Sequence, residues 1–158
     1  MKSTLTTALA ALGLLVTAGA QPSIEAQVPS VATCAISTTA TMSFGAYSVF
    51  NAGPTDSTAS VSYVCSGVTG PVTISLTGVQ PDGTRALKNG ADVLSYHVFA
   101  DAARTQVWGD GTFGASPVVY PKPVDAAVNT AVMYGRVFAD QDVAFGPYTD
   151  SFVLVLNF

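Results

Sequence analysis

The most constraining feature of this sequence is its final segment, residues 151–158, which is apolar on both faces of an extended strand. Val153 and Val155 share one face at a period of two. The other face carries Phe152, Leu154, Leu156 and Phe158. A strand of this kind is typical of the interior of a sheet, with a neighbour on each side. No closing strand follows it in the sequence, so we expect an unfinished sheet that a second subunit completes.

Short β-rich runs separated by turn residues predict an all-β sandwich or barrel. Asn89-Gly90 lies between two such runs and is typical of a tight turn, so residues 85–88 and 93–96 predict a hairpin. Residues 117–123 are rich in proline and are interpreted as a connection. The predicted runs are 33–38, 41–47, 59–65, 72–79, 93–100, 105–108, 131–138 and 150–158.

Residues 1–20 have the pattern of a secretory signal peptide. Lys2 is the only charged residue there, residues 8–16 are almost wholly apolar, and Ala18-Gly19-Ala20 is a typical cleavage site. A membrane anchor is the alternative, but the apolar core is much shorter than the ~20 residues that span a bilayer. We therefore expect cleavage before Gln21, a tail over residues 21–32, and one domain over residues 33–158.

The composition restricts the kinds of partner. The chain has 6 basic and 10 acidic side chains, which argues against binding to nucleic acid or to an anionic membrane surface. Only 10% of its residues are charged and 49% are hydrophobic. Such an apolar chain suits a protein that buries surface against copies of itself.

Cys34 and Cys65 are the two cysteines of the chain. In an oxidising compartment they can form a disulfide between neighbouring strands, worth about 3–4 kcal/mol by the chain-entropy model. A reactive or metal-binding thiol pair is the alternative. A single histidine and the lack of a Cys-x-x-Cys motif argue against that alternative.

Enzyme signatures are weak, and we expect no cofactor and no catalytic site. His97 alternates with apolar residues in a predicted strand, and we interpret it as a surface-facing strand residue. Asp140 and Asp142 lack the remaining ligands of a calcium loop, so a solvated turn is favoured. No serine lies in a Gly-x-Ser-x-Gly motif. Aromatic residues occur in most of the predicted strands, and we interpret them mainly as packing residues. A carbohydrate-binding surface remains the alternative for them.

Five sequence blocks stand out by their order and spacing: MSFGAY (42–47), LKNGADVLSY (87–96), FADAARTQVWGDG (99–111), YGR (134–136) and GPYTD (146–150). Together they resemble the spore coat protein U domain, a family that includes the Csu-type pilins of the archaic chaperone–usher pathway. The resemblance runs from Cys34 to Phe158.

The resemblance implies an incomplete immunoglobulin-like sandwich that lacks its last strand and is completed by an N-terminal donor strand from the next subunit. It implies a disulfide between Cys34 and Cys65 and a donor segment that includes Ile24, Ala26 and Val28. It also implies an acceptor groove, one wall of which is formed by Phe152, Leu154, Leu156 and Phe158.

By the same resemblance, the partners are neighbouring pilin subunits, a periplasmic chaperone and an outer-membrane usher. The expected location is a fimbrium on the cell surface, reached through the periplasm. Two alternatives to a pilus subunit remain open: a secreted coat protein that assembles without an usher, and a secreted carbohydrate-binding module.

Overall fold

The computed structural model describes residues 31–38, 40–50 and 52–158. In these residues eight strands form two sheets, which pack face to face as a sandwich. The larger sheet has the order β1-β2-β7-β5-β4, and the smaller has the order β6-β3-β8. The strands are β1 (Thr33–Ile36), β2 (Thr55–Ser66), β3 (Val72–Leu76), β4 (Arg85–Asn89), β5 (Asp92–Phe99), β6 (Val118–Tyr120), β7 (Val128–Val137) and β8 (Leu154–Asn157).

The centre of the larger sheet is the antiparallel pair of β2 and β7, in which Val61 lies opposite Ala131. Every second residue of both strands points into the sandwich, and Val61, Ala131 and Met133 are fully buried. The smaller sheet covers them with the inner face of β3, where Ile74 and two further apolar residues are likewise buried. The alternation of apolar and polar residues therefore fixes which face of each strand lies in the core.

The edges of the two sheets differ in how they are covered. The backbone of Lys88 in β4 exchanges hydrogen bonds of 2.8 and 3.1 Å with that of Thr149, which covers that edge. β6 is short and lies between Pro117 and Pro121, two features that protect an edge from further pairing. β8 pairs with β3 alone, and across the described part of the chain no strand lies along its other edge.

The disulfide and the hairpin both appear in the structure. Cys34 and Cys65 lie directly opposite each other in β1 and β2, with their Cα atoms 4.1 Å apart, and are joined as a disulfide. Arg85 lies opposite Tyr96, so β4 and β5 form the predicted hairpin around Gly90, which has a φ of +61°. A glycine takes this conformation without steric cost.

Three predictions about strands were wrong. Residues 41–47 form no strand, although their alternating side chains favour one. Residues 105–108 form only single bridges, from Val107 to Phe99 and from Trp108 to Ser116. The proline-rich connection contains β6, because the prolines flank three residues that remain free to pair with β3. In each case pairing with a neighbouring strand decided the outcome, and the local sequence does not encode that neighbour.

The signal peptide at residues 1–20 and the donor residues Ile24, Ala26 and Val28 lie outside the described residues, so both remain predictions. Among the residues that are described, no helix is long and apolar enough to cross a membrane.

Candidate acceptor groove

An apolar groove lies beside the free edge of β8, between the two sheets. One wall is formed by residues 150–154. The other is formed by the last residue of β1 and by residues that follow it: Ile36, Thr38, Ala40, Thr41, Met42 and Phe44. The cavity between them has a volume of about 490 Å³, and Leu87, Tyr96 and Met133 form its floor. We call this cavity the β8 groove.

The β8 wall contains two of the four residues that the resemblance assigns to an acceptor groove, Phe152 and Leu154, and Leu156 lies farther along the same face. Phe152, Leu154 and Leu156 are half-buried and pack against the core. Phe158 lies beyond the end of β8 and is 55% exposed. The opposite face of the strand carries Val153, which is 62% exposed. The structure thus brings the first three predicted groove residues together on one face.

The backbone of β8 also offers unpaired groups to this groove. Thr77 N donates a hydrogen bond of 3.0 Å to Val153 O, so the backbone carbonyl of Val153 points to the neighbouring strand β3. In an antiparallel pair this orientation alternates along the strand. The N–H and C=O groups of Leu154 and Leu156 therefore point to the free edge, where an added strand can bind them.

A buried arginine supports the groove wall from behind. Arg85 is only 2% exposed, and its guanidinium donates to Thr77 O at 2.6 Å and to Leu76 O at 3.1 Å. The same guanidinium lies 4.9 Å from the centre of the Phe152 ring. Burial lowers the pKa of Arg85. Arg85 thus connects β4 of one sheet to the end of β3 in the other and holds Phe152 in position.

One end of the groove is polar. The hydroxyl of Tyr96 donates a hydrogen bond of 2.7 Å to the carboxylate of Asp150. Burial, with a smaller effect from this hydrogen bond, raises the pKa of Tyr96, so the phenol remains a donor. Asp150 therefore marks the end of the groove from which the chain enters β8.

The wall opposite β8 depends on a glycine. Met42 and Phe44 pack against the core although their segment forms no strand. The Phe44 ring contacts the Tyr96 ring edge-on, with the ring centres 5.6 Å apart. Gly135 of β7 lies directly beneath them. A Cβ atom there would lie 2.7 Å from Cζ of Phe44 and closer still to Sδ of Met42. The wall packs closely because this position has no side chain.

Replacing Gly135 with valine should displace this wall. Methionine can move away, but the Phe44 ring is held against Tyr96, so we expect a loss of about 1–3 kcal/mol in unfolding free energy. Urea denaturation measures this loss. Gly70→Ala is the matched control, since a Cβ atom at Gly70 meets nothing within 4 Å. Equal stability of the Gly135→Val variant and the control would show that residues 40–47 do not pack as described.

A second cavity, of about 710 Å³, continues from the β8 groove past Asp150. We call it the apical pocket. Residues 41–50 and 143–148 form its walls, and it shares Met42, Phe44 and Leu87 with the β8 groove. Phe50 and Phe145 at this pocket are almost fully exposed. Sequence reasoning missed both, because they lie between the predicted strands in turn-rich segments.

The predicted solvent-facing role of His97 was only partly right. The residue lies on the outer face of β5, but it is half-buried between the rings of Phe99 and Phe138. The centres of these rings lie 5.4 and 4.9 Å from the centre of the imidazole ring. Burial lowers the pKa of His97. The two aromatic neighbours account for this burial, and they make the imidazole part of a packed cluster remote from the groove.

Other polar clusters have structural roles. On the outer face Arg136 forms two hydrogen bonds with Asp56, at 2.7 and 2.8 Å, and the bond to Arg136 is the main reason that the pKa of Asp56 is lowered. Arg104 adds an ion pair with Asp56 at 3.3 Å. Within residues 31–38, 40–50 and 52–158, no three histidine, cysteine or acidic side chains are grouped to hold a metal ion.

A family model for the Spore Coat Protein U domain matches residues 20–154. The chain therefore belongs to the Spore Coat Protein U domain family, and the predicted resemblance is confirmed. None of the curated proteins compared with the chain is significantly similar to it.

One similar solved structure is the crystal structure of the CsuC–CsuE chaperone–tip adhesion subunit pre-assembly complex from archaic chaperone–usher Csu pili of Acinetobacter baumannii. The identity is 21% and the TM-score 0.53, over 81% of this chain and 40% of that one. This similarity supports a shared fold, and the all-β sandwich predicted from the sequence is confirmed. The present chain spans less than half the length of that neighbour.

Proposed function

We propose that this protein is a structural subunit of a surface pilus or fibre that the chaperone–usher pathway assembles by donor-strand complementation. The observation that carries the proposal is the free edge of β8 beside an apolar groove. The backbone groups of Leu154 and Leu156 at that edge need a partner, and the apolar groove needs cover. A strand inserted between β8 and the opposite wall of the groove supplies both.

The inserted strand is the tail of another subunit, with Ile24, Ala26 and Val28 facing the groove. This is recognition by β-strand addition, in which backbone hydrogen bonds provide affinity and side-chain pockets provide selectivity. An exposed edge of this kind also promotes aggregation. A periplasmic chaperone therefore occupies the groove before assembly. At an outer-membrane usher, the tail of the next subunit then replaces the chaperone in the groove.

Family membership and the fold of the Csu neighbour support this proposal. In this proposal the protein passes through the periplasm and becomes part of a surface fimbrium, with neighbouring pilin subunits as its permanent partners. Its role is structural, since the groove provides a surface for strand binding.

Purification with and without a co-expressed periplasmic chaperone tests the proposal. We expect a complex of one subunit with one chaperone in the first case, and linear polymers in the second. A variant that lacks residues 21–30 is the control, and it should still bind the chaperone but form no polymers. A stable monomer that binds no chaperone would contradict the proposal, and binding of such a monomer to glycans would favour the carbohydrate-binding alternative.

A further inference from the structure

Two exposed apolar patches lie at opposite ends of the sandwich. The first, which we call the phenylalanine patch, consists of Phe50 and Phe145 beside the apical pocket; Phe50 is 93% exposed. This patch lies near the start of β2. Such large aromatic side chains are typical anchors of protein interfaces when they lie beside a pocket.

The second patch, which we call the valine patch, consists of Val31, Val124 and Val128, which are 83%, 67% and 69% exposed. It lies at the opposite end of β2. Val128 is opposite Val64 in the sheet, and β1, which follows Val31, begins opposite Ser66. Because β2 has 12 residues, the two patches are separated by about 40 Å along the sheet. The tail of residues 21–30 joins the domain at the valine patch.

The direction of the inserted tail decides which ends of two subunits meet. All pairings between named strands in the described residues are antiparallel, and antiparallel pairing is slightly the more stable per residue. A tail antiparallel to β8 runs toward Asp150 and leaves the groove beside the apical pocket. The chain from Val28 to Thr33 then spans at most about 18 Å. The valine patch of the donating copy must therefore lie close to the phenylalanine patch of the accepting copy.

We propose that the phenylalanine patch of one copy docks on the valine patch of the copy whose tail fills its groove. The contact is heterologous and repeats along the fibre, as head-to-tail interfaces do. It adds a contact between domains to the strand insertion and fixes the angle between successive copies. This inference rests on the proposed function, because the inserted tail is what brings the two patches together.

Two release rates test the docking. The first is the rate at which Phe50→Ser/Phe145→Ser monomers leave assembled fibres in mild denaturant. The loss of two interface anchors should accelerate this release by roughly tenfold or more, mainly through the dissociation rate. The second is the rate at which a synthetic peptide of residues 21–30 leaves the groove of a full-length chain. That chain carries Phe50→Ser/Phe145→Ser and a tail that can no longer insert into a neighbouring groove. The peptide has no valine patch, so its release should not change.

Two further variants give the test its controls. Val124→Ser/Val128→Ser fibres should release monomers as fast as the phenylalanine variant, and combining the two pairs should add nothing, because each removes the same contact. Phe113→Ser replaces an exposed phenylalanine outside both patches and should change neither rate.

Unchanged release from fibres, or equal acceleration of the peptide, would overturn the docking while leaving strand insertion intact. Additive effects of the two pairs would overturn it as well. If the unmodified chain forms no tail-dependent fibres and binds no tail peptide, the proposed function fails, and the docking fails with it.

Discussion

The double substitution Ile24→Asp/Val28→Asp should abolish assembly of the protein into fibres while leaving its domain able to fold with a chaperone. Both side chains are predicted to enter the apolar β8 groove of a neighbouring copy. A carboxylate at either position would have to lose its hydration against Phe152 and Leu154, which have no charge to offer in return. Electron microscopy and native gels of the exported protein measure the outcome.

The tail is long enough for this role. From Gln21 to Cys34 an extended chain reaches about 46–50 Å, whereas a strand of six residues is about 20 Å long. Burying Ile24 and Val28 should contribute about 1.5–3 kcal/mol each, and each new backbone hydrogen bond about 0.5–1.5 kcal/mol. The small Ala26 and the missing N–H of Pro29 should make this tail weaker than one with a large apolar residue at every pocket.

The matched control is Ser23→Asp/Gln27→Asp, which adds the same charge to the opposite face of the tail. That face points away from the groove if the tail is an inserted strand, so this variant should still assemble. If Ile24→Asp/Val28→Asp fibres form at the normal level, this tail is not the donor. If both variants fail alike, added charge rather than the apolar face is responsible.

Replacing Trp108 with alanine should lower the free energy of unfolding by about 3–5 kcal/mol. Trp108 is fully buried and connects the two sheets. Its backbone N donates a hydrogen bond of 2.8 Å to Val98 O in β5, and its indole Nε1 donates one of 2.8 Å to Ile74 O in β3. Since β3 is the strand that holds β8, the loss should also loosen the groove.

Circular dichroism during urea denaturation measures this effect, because the chain has no other tryptophan to report by fluorescence. Trp108→Phe keeps most of the ring but removes the indole donor, so it should cost about 1–3 kcal/mol. If Trp108→Ala lowers the free energy of unfolding by less than Trp108→Phe does, the side chain does not connect the sheets.

The sequence was most informative where alternation and turn chemistry agree. Asn89-Gly90 identified the β4–β5 hairpin, because a positive φ at the glycine fits a tight turn and the flanking residues alternate. Residues 41–47 alternate as well, yet they form no strand. Their side chains pack over Gly135, and the packing of Phe44 and Met42 there required knowledge of a strand distant in sequence.

The candidate site shows the same limit. The apolar alternation of Phe152, Leu154 and Leu156 was visible in the sequence, and the structure places these residues on one face, with Phe152 and Leu154 lining the β8 groove. The buried Arg85 behind Phe152 was not predicted, since an arginine in a strand usually lies at the surface and its partners are backbone carbonyls of another sheet. Phe50 and Phe145 were also missed, because exposure is a property of the folded surface.

The most direct test of strand insertion is residue-resolved amide hydrogen exchange in β8, with and without a synthetic peptide of residues 21–32. The amides of Leu154 and Leu156 point to the free edge, whereas those of Val153 and Val155 face β3. The peptide should therefore slow exchange at Leu154 and Leu156 strongly, and a peptide with aspartate at positions 24 and 28 should not. Unchanged exchange at Leu154 and Leu156 with the natural peptide bound would contradict the proposal that this tail completes the sheet.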